Sequence, residues 1–457
     1  MADHAARLGD DARRTAPPPH VGEGALMSAR DRRHAMLLLL LIYTFNFLDR
    51  QVINILAEPI KMELGLADWQ IGVMTGLAFA LLYSVLGIPI ARVAEHGDRP
   101  RIIALSVLVW SSFTVACSFV TNFWQLVLAR FGVGVGEAGC TPPAHSLISD
   151  YMPREKRASG LAFYAMGTPL GSLLGMALGG VIADAYGWRA AFLAAGAPGL
   201  VLAILAATTL HEPRRKLRAA LAAKAAQRPK FADACRELAT KRTFWLIAFA
   251  AAVQAFVTYG QTAFTASFFL RSHAAELASL GAAFGLKSAG FLGIALGLTS
   301  GLAGILGAVL GGRLSDRLIA KDLRAHVYLP AVFAGLALPF VVSAMLVPSA
   351  VLAIFLLAGA AFLNTAWFGP VYASIQGLVR PQTRATAAAV LLFILNLIGL
   401  GFGPLAVGAI SDLLATSGGM GAAEGLRWAK IIGELVIVVS IVLFGLAART
   451  IRDETVS

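Results

Sequence analysis

The sequence predicts an all-α polytopic membrane protein of twelve transmembrane helices, built as two six-helix bundles related by pseudo-twofold symmetry. Three observations predict it. First, 58% of the 457 residues are apolar and only 14% are charged, against about 25% charged in a typical soluble domain. A soluble fold of this size has too little interior to hide so much apolar surface. Second, the apolar residues fall into twelve segments, each close to the roughly 20 residues that cross about 30 Å of hydrocarbon. Third, Lys and Arg concentrate in every other connection. Together these exclude an ordinary soluble enzyme, a disordered chain and a disulfide scaffold; the three cysteines form no spaced framework.

The elements follow in order. Residues 1–33 are polar, contain Pro17-Pro18-Pro19 and end in Arg30, Arg32 and Arg33. They read as a disordered cytoplasmic tail before a helix retained in the membrane. The apolar segments are 35–57, 71–93, 102–120, 124–146, 159–183, 189–209, 243–270, 290–313, 328–347, 350–376, 386–411 and 429–449. This gives an N-terminal bundle over 34–209, a basic cytoplasmic linker over 210–242, a C-terminal bundle over 243–450 and a short tail at 451–457.

The net charge of +12 acquires a meaning once the connections are placed on alternating sides. Thirty of the 38 Lys and Arg residues then lie on the side of the termini, six on the other, Lys430 among them, and Arg50 and Arg130 lie inside spans. This positive-inside asymmetry predicts cytoplasmic termini in a cell (inner) membrane. It also removes nucleic acid as a partner, because no basic face with interleaved aromatics remains.

The halves repeat each other. Ala91-Arg92-Val93-Ala94-Glu95-His96 corresponds to Gly312-Arg313-Leu314-Ser315-Asp316-Arg317, Pro153-Arg154 to Pro381-Gln382, and Gly180 through Asp184 to Gly408 through Asp412, at offsets of 221 to 228 residues. Parallel repeats of this kind place a substrate site between two rocking halves near the midplane. Gly167, Gly171, Gly175 and Gly179 share one helix face and let another backbone approach. That face serves either fixed packing or the moving seam, as do Gly72 and Gly76 in the second segment and Gly399, Gly403 and Gly408 in the eleventh.

Asp49, Arg50, Arg130 and Glu137 are charges inside apolar segments. A mid-bilayer charge costs at least about 2.5–3.5 kcal/mol on insertion scales, so such residues pair, face a cavity or work. Asp49 and Arg50 point about 100° apart on a helix. Arg130 and Glu137, seven residues apart, share a face. The expected pairs are Arg50 with Glu137, and Asp49 with Arg130 or neighbouring polar groups. They form either a static clamp or a working site in which Asp49 and Glu137 titrate and Arg50 holds an anionic head group. A carboxyl in low dielectric keeps its proton unless a cation lies beside it, so moving the cation drives proton exchange. The repeat sets neutral Thr365 opposite Glu137. Thr365, Asn364 and Trp367 are candidates for the cavity wall, with Gln254, Tyr259, Gln261 and Asn396. Glu434 is expected to reach the membrane interface beside Lys430.

Gly312-x-Leu314-x-Asp316-Arg317 closely resembles the loop motif of the major facilitator superfamily; the first-half copy departs from it at Ala91, Glu95 and His96. Within that superfamily the chain resembles the spinster lipid transporters, through Asn46-Phe47-Leu48-Asp49-Arg50 and through Arg130-Phe131-Gly132-Val133-Gly134-Val135-Gly136-Glu137-Ala138, followed by Asp150 and Pro153. The resemblance spans residues 35–450. It implies the fold of that superfamily, with proton coupling at Asp49 and Glu137 and substrate contacts at Arg50, Asn46 and Arg130. It further implies a conformational latch at Arg92, Glu95, Asp98 and Arg99 and at Gly312, Arg313, Asp316 and Arg317.

No P-loop lysine motif, H-E-x-x-H, G-x-S-x-G or metal-spaced Cys/His cluster occurs, so neither an enzyme nor a bound cofactor is expected, the proton being the coupling ion. The expected protein is a monomeric secondary carrier of an amphipathic anionic lipid, such as a lysophospholipid or sphingoid phosphate. The rival is a proton-coupled symporter of small organic anions, for which the anion:cation symporters carry a similar Asp-Arg pair. The second half shows no Arg or Lys deep in a span, which favours the lipid.

Overall fold

A computed structural model describes residues 28–213, 231–380 and 383–455. Most of the expected tail, the middle of the linker, and the side chain of Glu95 lie outside the described residues. Every regular element among the described residues is helical. The spans are α1 (Ala29–Leu64), α2 (Asp68–Gly87), α3 (Arg99–Cys117), α4 (Phe123–Ala138 and Thr141–Tyr151), α5 (Ser159–Tyr186) and α6 (Trp188–Thr209), then α7 (Arg242–Ser272), α8 (Ser288–Ile319), α9 (Ala325–Leu346), α10 (Ala350–Leu378), α11 (Thr386–Thr416) and α12 (Gly421–Glu454).

The helices outrun the apolar windows. Ser28 accepts from the amide of Asp31 at the start of α1, and Gly65 ends it in a left-handed cap at φ 63°. The final helix continues to Glu454, so residues 451–454 of the expected tail are helical. The linker carries a helix over Phe231–Thr240. In α4 the helix breaks at Gly139-Cys140, before Pro142 and Pro143, giving pieces of 16 and 11 residues. Pro142 and Pro143 lie in the first turn of the second piece, where a missing amide proton costs no helical hydrogen bond.

The glycines divide by role. Alanine at Gly171 or Gly175 would bring its Cβ within 2.2 Å of the Thr44 carbonyl or 2.6 Å of the Leu48 carbonyl, both on α1. That face of α5 is therefore fixed packing inside the first half. The seam between halves uses others. Gly72 and Gly76 on α2 meet Pro404 and Leu400 of α11, while Gly293 and Gly297 on α8 meet Met176 and Leu173 of α5.

The seam is tight at the end away from the termini. There Arg271 of α7 bonds Glu58 of α1 at 2.7 Å and Asp68 of α2 at 2.8 Å. Lys61 and Ser411 also donate to Asp68. Asp412 accepts the backbone amides of Asp68 and Trp69 at 3.0 and 2.8 Å, capping α2 from the opposite half. Asp184 accepts the amide of Gly290 at 2.6 Å, capping α8 from the opposite half. Asp184 and Asp412 are the repeat-related aspartates, and each neutralises orphan amides at a helix N-terminus. Towards the termini, a Cβ at Gly87 of α2 or Gly301 of α8 would meet nothing within 4 Å. The two halves are thus clasped at the far end.

Candidate functional site

The four intramembrane charges of the first half form two ion pairs. Arg50 Nε donates to Glu137 Oε2 at 2.6 Å. Arg130 Nη1 donates to Asp49 Oδ2 at 3.3 Å, and the Thr114 hydroxyl donates to Asp49 Oδ1 at 2.8 Å. This geometry follows from helix phase. Adjacent Asp49 and Arg50 diverge, while Arg130 and Glu137 present two turns of one face.

Glycines bring the partners into reach. A Cβ at Gly134 would sit 2.6 Å from the Phe79 carbonyl on α2, and one at Gly136 would sit 2.4 Å from the Trp110 amide on α3. Only a helix bare at these positions lets α4 lie so close to both neighbours.

The two pairs differ in access. Asp49, Arg130 and Glu137 are fully buried, whereas the Arg50 side chain keeps 18% of its surface exposed. Three rings surround its guanidinium: Phe47, Phe79 and Tyr83, with centroids 5.3, 4.8 and 4.6 Å away. Each desolvated cation–π contact contributes on the order of 0.5–2 kcal/mol. Tyr259 of the second half packs against this region as well as its own core. Several buried atoms have no partner among the described residues: Glu137 Oε1, Arg130 Nε and both amide atoms of Asn46.

The second-half candidates are placed differently. The Thr365 hydroxyl donates to the Gly304 carbonyl of α8 at 3.0 Å and back to its own helix. It is consumed in the α8–α10 contact. Asn364 accepts from Gln254 at 3.2 Å. Trp367 is buried in the second-half core and stacks on exposed Phe368 at 4.1 Å. The structure does not gather these three around one polar centre.

The loop motifs are asymmetric too. Arg99 is buried and bonds Asp150 at 2.8 Å and Ser146 at 2.9 Å within the first half, and Glu212 at the start of the linker. Asp98 caps α3 through the Arg101 amide. Arg92 lies exposed on the same end. Arg313, Asp316 and Arg317 are exposed and form no ion pair among the described residues; Gly312 meets nothing within 4 Å of a built Cβ. Sequence reasoning did not assign Asp150 and Glu212 to Arg99. An arginine beside the Asp98-Arg99-Pro100 helix start was the only local signal.

One expectation is overturned. Glu434 does not reach the interface, and Lys430 is no outer-loop charge: their relative exposures are 2% and 0%. Lys430 Nζ donates to the Gln261 carbonyl and the Thr265 hydroxyl of α7, both at 3.0 Å. The helix begins at Gly421, well before the apolar window opens, and so draws both residues into the bundle. The second half therefore does hold a lysine deep in a span.

Two six-helix bundles with charges paired inside one of them define a polytopic transporter of the superfamily type. The chain belongs to the Major Facilitator Superfamily, whose family model matches residues 39–404. It is 33% identical to an MFS-type efflux pump of Mycolicibacterium smegmatis, over 82% of this chain and 83% of the relative. It is 26% identical to the sphingosine-1-phosphate transporter SPNS2 of Danio rerio, over 81% of this chain and 74% of the relative. Among solved structures, a bacterial homologue of the human lysosomal transporter spinster, inward-facing and unoccupied, superposes with a TM-score of 0.83 at 32% identity, covering 94% of this chain and all of that one. The chain is a spinster relative within the superfamily.

Proposed function

We propose that this integral membrane transporter moves an amphipathic anionic lipid, a lysophospholipid or sphingoid phosphate, by proton-coupled alternating access. The observation that carries the reading is Arg50: a guanidinium paired with a buried carboxylate, caged by three rings, yet partly exposed. Arginine suits a phosphate because its fork donates in parallel. The surrounding rings favour the adjoining apolar chain.

Coupling follows from competition. When a phosphate takes Arg50, Glu137 loses its cation and binds a proton; when the proton leaves, Glu137 recovers Arg50. Asp49, held by Arg130 and Thr114, is the second carboxyl of the relay. The unpartnered atoms of Asn46 and Glu137 supply further contacts for ligand and proton. Lys430 does not favour the organic-anion rival, because its ammonium is spent on α7. With both termini in the cytoplasm, the side the basic loops favour, the clasped far end is the outer gate, and this state faces inward.

The test is transport in proteoliposomes under an imposed pH gradient, comparing a lysophospholipid and a sphingoid phosphate with a panel of organic anions. Gradient-dependent movement of the lipids supports the reading. Movement of the organic anions alone assigns the rival.

A further inference from the structure

We propose that the groove where the linker helix meets α7 and α12 holds one anionic phospholipid of the leaflet on the side of the termini. The groove has a volume of about 370 Å³ and opens at the surface of the bundle. Ala239 and Thr240 at the end of the linker helix, Arg242, Trp245 and Phe249 of α7, and Leu443 of α12 line it.

Its walls are fixed to one another. Trp245 Nε1 donates to the Leu238 carbonyl at 3.0 Å, which ties the linker helix to α7. Leu238 is itself buried in the second-half core. Lys241 Nζ donates to the Glu454 carbonyl at 2.9 Å, and the hydroxyls of Thr243 and Thr450 bond at 2.6 Å, which ties the start of α7 to the end of α12.

Polarity falls with depth along the groove. Arg242 stands exposed at the mouth and forms no ion pair among the described residues. Glu237 and Glu454, on the elements that meet here, bond backbone amides instead: Glu237 accepts from Arg380 at 3.2 Å and Glu454 from Thr243 at 3.0 Å. About 10 Å further along the helix, Phe249 is 43% exposed, and its ring lies 6.1 Å from that of Trp245. Leu443 falls between the levels set by Ser440 on the Ala250 carbonyl, at 2.8 Å, and Thr450 on Thr243. A free cation over an aromatic and apolar floor matches a lipid phosphate followed by its acyl chain. The guanidinium fork donates to a phosphate in parallel. A zwitterionic headgroup would bring a second cation close to Arg242, so the anionic lipid is preferred.

The site is separate from Arg50. Tyr259, which packs against the first-half core, lies about 20 Å along α7 from Trp245. The inference does not rest on the identity of the transported substrate.

Quenching of tryptophan fluorescence by brominated lipids in the purified full chain tests this. Bromine quenches on contact, and the difference between the unsubstituted protein and Trp245→Phe isolates the Trp245 signal. The proposal expects brominated phosphatidylglycerol to quench that signal at a several-fold lower lipid fraction than brominated phosphatidylcholine. Arg242→Ala should remove the preference, while Lys321→Ala, an exposed cation at the same end, should keep it. Equal quenching by the two lipids in the unsubstituted protein overturns the proposal, as does a preference that survives Arg242→Ala. Should Trp245→Phe not fold, native mass spectrometry decides: the proposal expects one phosphatidylglycerol adduct retained under activation by the unsubstituted protein and lost from Arg242→Ala, and an adduct retained equally by both overturns it.

Discussion

The two halves repeat each other in sequence but handle polarity in different ways. The first half gathers Asp49, Arg50, Arg130 and Glu137 into two pairs and leaves one guanidinium within reach of a ligand. At the position matching Glu137, the second half has Thr365, whose hydroxyl is absorbed by Gly304. Its own buried charges lie on the last helix, turned to α7. At the far end the halves behave alike, with Asp184 and Asp412 each capping a helix of the opposite half. The repeat thus matches in the cross-half caps and differs in the buried charges. The far-end clasp draws on both halves, while the paired charges of Asp49, Arg50, Arg130 and Glu137 belong to the first.

That contrast can be broken at several levels. The largest effect is expected from Arg50→Ala, which leaves Glu137 buried without its cation. Breaking a buried pair this way costs about 3–5 kcal/mol, and both lipid transport and thermal stability in detergent should fall. Arg50→Lys keeps the charge but loses the fork and much of the ring stacking, so it should recover stability more than transport.

Next is the seam. Gly293→Ala sets a Cβ 2.1 Å from the Met176 carbonyl, a backbone atom that cannot swing aside. It should push the halves apart at the far end, read as a longer spin-label distance between α5 and α8 there. Asp184→Asn and Asp412→Asn each weaken a cross-half cap by about 0.3–1 kcal/mol. They should shift the same distance distribution modestly and by similar amounts. A marked difference between them would break the symmetry of the clasp. The smallest effect belongs to Thr365→Val, costing on the order of 1 kcal/mol of stability and leaving the transport rate near that of the unsubstituted protein. A large loss there would mean that the second half takes part in the chemistry.

Much of this was legible in the sequence, for identifiable reasons. Twelve spans were readable because bilayer thickness fixes helix length. Pairing of Arg50 with Glu137 was readable because helical phase fixes which residues share a face. The assignment of Gly171 and Gly175 to α1, not to the seam, was beyond reach, since a small-residue stripe names no partner. Lys430 was misplaced for a related reason: apolarity marks the lipid-facing stretch, while a helix turned inward can start earlier and carry charge. The Arg271 clasp with Glu58 and Asp68 joins residues more than 200 positions apart, and no local pattern announces it.

The central claim is that the Arg50–Glu137 pair links proton movement to substrate movement. Its most direct test is Glu137→Gln in proteoliposomes, assayed with a lysophospholipid both by exchange without a gradient and by accumulation against an imposed pH gradient. The neutral isostere should still exchange substrate but lose gradient-driven accumulation. Accumulation at the rate of the unsubstituted protein would contradict the account.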